Sequence, residues 1–322
     1  MRRIASALLP AVALAAAMLL AAGPFDDRDL KSFKTEDIAK TLRFADPATP
    51  GELVIDNVFG PISVEGHAGR DIVLEARKIV YARDEARAKK AEEEVRLDIT
   101  EKGNTVEAYV DGPFREETGG DVRLRGARRY FAHVDEASAT NDRRGGGVHF
   151  HRDPGYKVFY GFTVKVPYGT DLVLSAVLDG QVEVRGVEGR FDVRNVNGRV
   201  RLLDVAGAGD ARTVNGEVTV VFRRNPDGAC LFKTVNGDVE VALPGAPSAD
   251  FRVKTMHGEV YSDFDVTYLP KAPPIREERR EERGKYVYRS DGAYGVRVGK
   301  GGPEIKLETL TGDILIAKRS KS

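Results

Sequence analysis

The feature that most constrains this chain is a beat of Val-Asn-Gly: Val196-Asn197-Gly198, Val214-Asn215-Gly216 and Val235-Asn236-Gly237. Leu178-Asp179-Gly180 opens the series, Met256-His257-Gly258 is a degenerate fourth beat, and Leu310-Thr311-Gly312 closes it far downstream. From Gly180 to Gly258 the glycines fall about 18, 18, 21 and 21 residues apart, the fixed period that a repeat architecture produces. Two and four residues after each glycine stand apolar side chains: Val182/Val184, Val200/Leu202, Val218/Val220, Val239/Val241 and Ile314/Ile316. Five and three residues before it come Val193/Asn195, Ala211/Thr213, Phe232/Thr234, Val253/Thr255 and Leu307/Thr309. Such alternation places one face of a strand in a core and the other in water, so a strand enters each turn and another leaves it.

Asn-Gly suits a tight turn because both residues tolerate positive φ. A second, less regular set of turns lies half-way between: Glu188-Gly189, Ala206-Gly207, Asp227-Gly228 and Pro244-Gly245. Two all-β folds fit, an antiparallel meander or sandwich and a β-solenoid. The repeating unit is the strand pair rather than the single strand, and like residues recur in columns (Asn195, Thr213, Thr234, Thr255). Both facts favour the solenoid, single-stranded and β-helix-like, with coils of about 18–21 residues stacked at roughly 4.8 Å. The solenoid predicts positive φ at Gly198, Gly216 and Gly237, and one buried column through Val200, Val218, Val239 and Val260.

In chain order, residues 1–23 read as a secretory signal peptide. Arg2 and Arg3 precede an apolar run from Leu8 to Leu20, and Ala21, Ala22 and Gly23 offer a cleavage site. The run is short for a span of about 20 residues, so no membrane span is expected after cleavage. No cysteine follows it to carry a lipid anchor. Residues 24–50 form a charged lead-in. Residues 51–111 form an N-terminal β block whose Phe59-Gly60 and Ile62/Val64 obey the coil rule, making it the first coil. The block includes a surface helix over 83–95, with apolar face Ala86, Ala91 and Val95, and a hairpin around Lys102-Gly103-Asn104. Residues 112–156 are a Gly/Arg-rich loop insertion, 157–262 the β-repeat solenoid, 263–303 a charged, Pro-rich excursion and 304–318 the closing repeat.

The run Val58-Phe-Gly60-Pro-Ile62-Ser-Val64-Glu-Gly66, the three Val-Asn-Gly repeats and Thr309-Leu-Thr-Gly312-Asp-Ile314-Leu-Ile316 resemble the bacterial putative-adhesin β-strand repeat family. The resemblance covers roughly residues 50 to 318, interrupted at 112–156 and 263–303. It implies an exported, β-solenoid-like domain of undefined role, and it brings no catalytic residues. His257 in place of Asn and the long insertion before the last coil depart from the family pattern.

Composition narrows the function classes. Lys plus Arg and Asp plus Glu both number 50, which argues against a general nucleic-acid binder. The single cysteine, Cys230, excludes an intramolecular disulfide framework and occupies an apolar repeat position, so it reads as buried structure. The chain has no tryptophan for sugar stacking. His133, Asp135, His149, His151 and Asp153 are ligand types, but in a Gly-rich segment they read as a solvated loop, and neither metal nor cofactor is expected. Four residues before the turn glycines come Arg194, Arg212, Lys233 and Lys254, all opposite to the core by alternation. Stacking would make them a ladder able to bind an acidic polysaccharide, the alternative being stems that cover apolar surface while acids neutralise their heads. Glu217, Asp238, Glu259 and Asp313 directly follow turn glycines. Aligned by stacking, they would be the carboxylates to test for glycoside hydrolysis. The expected function is a non-enzymatic structural or binding module of the bacterial cell envelope, periplasmic or secreted, with an acidic polysaccharide or envelope protein as partner. The alternative is a solenoid enzyme acting on envelope or extracellular polysaccharide.

Overall fold

The computed structural model describes residues 29–115, 154–269 and 294–319, together with the backbone of 286–288. Its elements begin with β1 (Lys31–Arg43), β2 (Glu52–Asp56), β3 (Ile62–His67), β4 (Asp71–Ala82), α1 (Glu85–Glu94), β5 (Arg96–Lys102) and β6 (Thr105–Asp111). After the insertion come β7 (Tyr156–Pro167), β8 (Asp171–Ser175), β9 (Val182–Arg185), β10 (Phe191–Arg194), β11 (Val200–Val205), β12 (Gly209–Arg212) and β13 (Val218–Phe222). They are followed by β14 (Cys230–Lys233), β15 (Val239–Leu243), β16 (Ala249–His257), β17 (Val260–Ser262) and β18 (Val266–Tyr268). The last are β19 (Tyr286–Tyr288), β20 (Tyr294–Val298), β21 (Glu304–Thr311) and β22 (Ile314–Lys318). Among the described residues these strands make two 11-stranded sheets facing one core.

The centre of both sheets is parallel. In one sheet Val182, Val200, Val218 and Val239 stand in register on β9, β11, β13 and β15; in the other Leu174, Val193, Ala211 and Phe232 do so on β8, β10, β12 and β14. Each coil contributes one strand to each sheet, so this is the β-solenoid and not the antiparallel meander. Phe59-Gly60 does mark the first coil, since β2 and β3 stack in parallel register on β8 and β9. The alternating residues point inward and are nearly inaccessible: Val184, Leu202, Val220 and Val241 on one side, Phe191, Ala211 and Phe232 on the other. Antiparallel strands flank the parallel stack, β7–β4–β1 and β6–β5 at one end and β20–β18 and β19 at the other.

The glycines have the expected positive φ, with Gly198 at 150°, Gly216 at 150°, Gly237 at 146° and Gly312 at 143°, but the reason differs from a hairpin turn. The asparagines are not left-handed; among the described residues the non-glycine positions with positive φ are Asp179 and Asp204. The Val-Asn-Gly segment is a corner between two strands of one coil, and stacked corners run almost in contact. A Cβ on Gly216 would lie 2.5 Å from the Gly198 carbonyl oxygen, and one on Gly237 2.1 Å from that of Gly216. Gly180 and Gly258 lie outside the positive-φ set, yet a Cβ there would meet backbone at 2.2 and 1.9 Å.

The order of coils departs from the order of the chain. The closing repeat does not cap the stack: β21 lies between β14 and β16, and β22 between β15 and β17. The expected column Val200–Val218–Val239–Val260 is therefore interrupted, because Ile314 sits between Val239 and Val260. Thr309 likewise separates Thr234 from Thr255.

Two N-terminal details also differ from expectation. The charged lead-in supplies β1, a 13-residue strand paired along its length with β4, in which only Leu42 is buried. Helix α1 starts at an Asp84 cap whose carboxylate accepts the Arg87 N–H at 2.8 Å, and it buries Ala88 and Ala91 while leaving Ala86 exposed. Positions 88, 91 and 95 follow helical spacing onto one face; 86 falls on the opposite one.

Candidate binding face

The predicted cation ladder lies on the outer face of the sheet that contains β10, β12 and β14. Arg194, Arg212 and Lys233 are in register on these strands. The next position of the column is Glu308, and Lys254 lies beyond it. The structure thus brings three of the four cations together and separates the fourth by a carboxylate. Each cation of the row has an acid in reach. Arg194 makes two bonds to Asp192, at 2.7 and 2.8 Å. Arg212 bonds Asp210 at 2.7 Å, and Lys233 lies 3.5 Å from Glu308. The two arginine side chains are only 13% and 15% exposed, so their charges are held close to the sheet. Asp192 and Asp210 stand two residues before their arginines on the same strand face, a signal present in the sequence as Asp-x-Arg.

The corner edge carries a second set of rows. The Asn215 amide donates to the Asn197 side-chain oxygen at 2.7 Å, and Asn236 donates to Asn215 at 2.8 Å. This is the function of asparagine at the corner, an amide ladder running along the stack, with Asn215 and Asn236 exposed. One row inward, hydroxyls tie coil to coil. Thr213 donates to the Gly198 carbonyl, Thr234 to Gly216 and Thr309 to Gly237, at 2.8, 2.8 and 2.9 Å. Beside the amides runs an apolar row of Val196, Val214, Val235, Leu310 and Met256, its order set by the corner backbone bonds and the β16–β21 register. Val196 is 8% exposed, Leu310 40% and Met256 63%, so the row rises from the surface toward the last coil.

The four post-glycine carboxylates do align, in the order Glu217, Asp238, Asp313, Glu259. Two of them are engaged in holding coils together. Asp238 accepts the Asp313 N–H at 2.7 Å, and Asp313 accepts the Glu259 N–H at 2.8 Å. Glu259 accepts the Tyr261 hydroxyl at 2.7 Å. Cys230 is buried, and burial pushes its thiol up to about 11. Among the described residues no group of three or more metal-ligating side chains occurs; His133, Asp135, His149, His151 and Asp153 lie outside those residues. Nor is any helix among them long and apolar enough to cross a membrane.

One cluster had no legible sequence signal. Arg115, at the start of the insertion, crosses the outer sheet face to bond Asp56 at 3.0 and 3.2 Å. Its guanidinium lies 4.6 Å from the centre of the Tyr109 ring. Burial works against the Arg115 charge, but Asp56 outweighs it and holds the pKa above the ordinary value. The pair is almost wholly desolvated, and losing either partner would strand a buried charge.

Residues 174–316 match the family model described as Toastrack DUF4097. Among solved structures, one titled a putative cell adhesion protein from Clostridium sporogenes aligns at 12% identity and a TM-score of 0.35, covering 89% of this chain and 100% of that chain. Another, titled a putative lipid binding protein from Parabacteroides distasonis, aligns at 8% identity and a TM-score of 0.21, covering 88% and 95%. Neither likeness is strong enough to carry an argument about function. No curated protein matches the chain.

Proposed function

We propose that the protein, whose residues 174–316 match the Toastrack family model, is an exported, non-catalytic binding and structural module of the bacterial cell envelope. The observation that carries this reading is the corner edge, where an amide ladder and an apolar row run side by side along the stack. Coils spaced at roughly 4.8 Å repeat each group with the rise of the stack, a display suited to an extended partner lying along it. Envelope polysaccharide has the matching chemistry, since its hydroxyls bond amides and its ring faces rest on apolar side chains. The Arg194–Arg212–Lys233 row is the second surface, favoured by its in-register cations and disfavoured by the acids that accompany them. The signal-peptide pattern expected from the sequence of residues 1–23 supports the proposed export to the periplasm or beyond.

The test is a panel of neutral and acidic envelope polysaccharides, with binding and turnover measured separately. Binding without turnover, insensitive to salt and weakened in Asn215→Ala/Asn236→Ala, supports the corner edge. Binding that falls with salt and with Arg194→Gln/Arg212→Gln/Lys233→Gln assigns the partner to the cation row instead. Turnover of any member of the panel sinks the non-catalytic reading.

A further inference from the structure

Strand β1 ends its sheet, and no described strand pairs with its outer edge. Open edges are ordinarily short, bulged, lined with charged side chains, interrupted by proline or covered. This one runs for 13 residues without proline, and its register shift is confined to Ser32/Lys34. Up to Leu42 it is exposed except at Ile38, which is half-buried against the core, so its charges are what governs pairing. Its outward backbone N–H and C=O groups are a template for another strand.

The charges on β1 state which strand fits. Three of them are matched within the chain. Lys34 bonds Glu92 at 2.8 Å, Arg43 bonds Asp71, and Asp37 lies 3.6 Å from Arg77. Glu36 and Lys40 form no ion pair among the described residues. Glu36 has Lys78 opposite it on β4 and feels its charge, but the Lys78 ammonium bonds the Val95 carbonyl and lies over the Tyr160 ring rather than forming an ion pair with Glu36. Glu36 and Lys40 share one strand face and flank Ile38 symmetrically.

The geometry points to a second copy of this chain as the occupant, with β1 pairing antiparallel to β1 of its partner about a two-fold axis through Ile38. Directly opposed pairs in an antiparallel ladder alternate between hydrogen-bonded and non-bonded, so an exact two-fold axis must pass through a residue facing itself. Three such centres give long overlap: residues 36, 37 and 38. Centring on Glu36 sets two carboxylates face to face. Centring on Asp37 does the same and also opposes Lys34 to Lys40 and Lys31 to Arg43. Centring on Ile38 opposes Glu36 to Lys40 twice, Thr35 to Thr41 twice and Ile38 to itself, with no like charges opposed; Lys31 lies beyond the overlap. Of the three β1 charges that form no ion pair among the described residues, Lys31, Glu36 and Lys40, this register brings the last two together. The dimer would join two sheets edge to edge, and it is independent of what the corner edge binds.

The test is sedimentation of the full chain and its charge variants, with folding checked by circular dichroism. The wild type is expected at twice the mass of one chain. Glu36→Lys and Lys40→Glu each oppose like charges twice in the dimer and should each weaken it roughly ten-fold or more. Mixing the two single variants restores both attractive pairs, so the mixture should recover wild-type affinity. Separately, Ile38→Cys should form an intermolecular disulfide across the axis, the native cysteine being buried. A wild type that stays monomeric at high concentration overturns the proposal. So does a dimer that ignores both reversals, or single variants that do not recover on mixing.

Discussion

The coils from β8 to β15 stack in the order of the chain, whereas the last two coils stack in reverse order, with β21–β22 inside β16–β17. All place a glycine at the corner and an apolar residue two positions after it, although the corners at Gly180 and Gly258 lie outside the positive-φ set and the coil through Gly258 has Ser262 four residues on. Repeat physics therefore fixes the register of a coil without choosing its neighbour. Residues on the outer faces bear on the choice. The reversed order alternates charge through Lys233, Glu308 and Lys254, whereas the sequential coils stack Arg194, Arg212 and Lys233 directly and match each arginine within its own strand. Chain order would have set Lys233 directly opposite Lys254, a destabilising arrangement on a sheet. The reversed order also brings Arg252 to Glu304, and it lets Arg319 reach Asp204 at 2.6 Å and the Phe222 carbonyl at 3.2 Å.

The largest perturbation of this contrast is a chain ended at Pro303. Without β21–β22, coil 249–262 loses its parallel neighbour and coil 230–243 loses one of its two, while the coils up to 222 keep both. Hydrogen exchange should show protection lost over 249–262 and retained over 171–222. Retained protection over 249–262 would show that this coil docks directly on β14–β15, as chain order suggests. A smaller effect is expected from Gly312→Ala, whose Cβ would meet the Gly237 carbonyl oxygen at 2.0 Å with φ at 143°. Backbone on backbone cannot be relieved by a rotamer, so the cost should be about 3 kcal/mol. Gly216→Ala in the chain-order stack should cost a similar amount, since its Cβ would lie 2.5 Å from the Gly198 oxygen. Chemical denaturation of both variants measures whether inserted and sequential coils are equally tight.

The coil plan was legible because a strand pair with a fixed corner leaves a period, and a period survives any surface variation. Two things were not legible. Asparagine before glycine is also the signature of a hairpin turn, so its role in the ladder of Asn197, Asn215 and Asn236 emerges only from stacked geometry. Neighbour choice was hidden because Val260 and Ile314 both stand two residues after a corner glycine, and by that spacing either could follow Val239. For the candidate site, the acids that match the cations were in view at Asp192 and Asp210, whereas Glu308 became a neighbour of Lys233 only through the inserted coil.

Glu308→Lys sharpens that point. It would extend the row Arg194, Arg212 and Lys233 through position 308 to Lys254, five cations in register, and we expect a loss of about 1 kcal/mol, modest because the side chains remain partly solvated. A compensating Lys233→Glu should recover much of it, and a double-mutant cycle in denaturant reads the coupling.

The smallest effect is one of acid. Burial opposes ionisation of Asp204, but hydrogen bonds from Arg223 and Arg319 outweigh it and hold its pKa below the ordinary carboxylate value. Hydrogen bonding to Arg297 does the same for Asp250, and to Arg252 for Glu304. A carboxylate depressed in the folded state contributes its stabilisation in full above the unfolded value, roughly 4, and loses it as pH falls through the lower folded value. All three groups hold the last two coils or the Arg319 contact. Below about pH 4, residues 304–319 should therefore become sensitive to an acid-active protease before the sequential coils do. Asp204→Asn should be sensitive already at neutral pH.

The inserted coil also has a meaning in time. A chain made from its N-terminus onward releases residues 249–262 well before 304–318 exist, so an inner layer of the stack is synthesised after the layer outside it. Until then the slot between β14–β15 and β16–β17 cannot be filled by its proper occupant, and the two flanking coils display matching edges to each other and to any other strand. Closure of that slot thus waits for residues 304–318. A ribosome stalled just before them would leave a product that contains every Val-Asn-Gly corner and yet lacks a layer inside its stack.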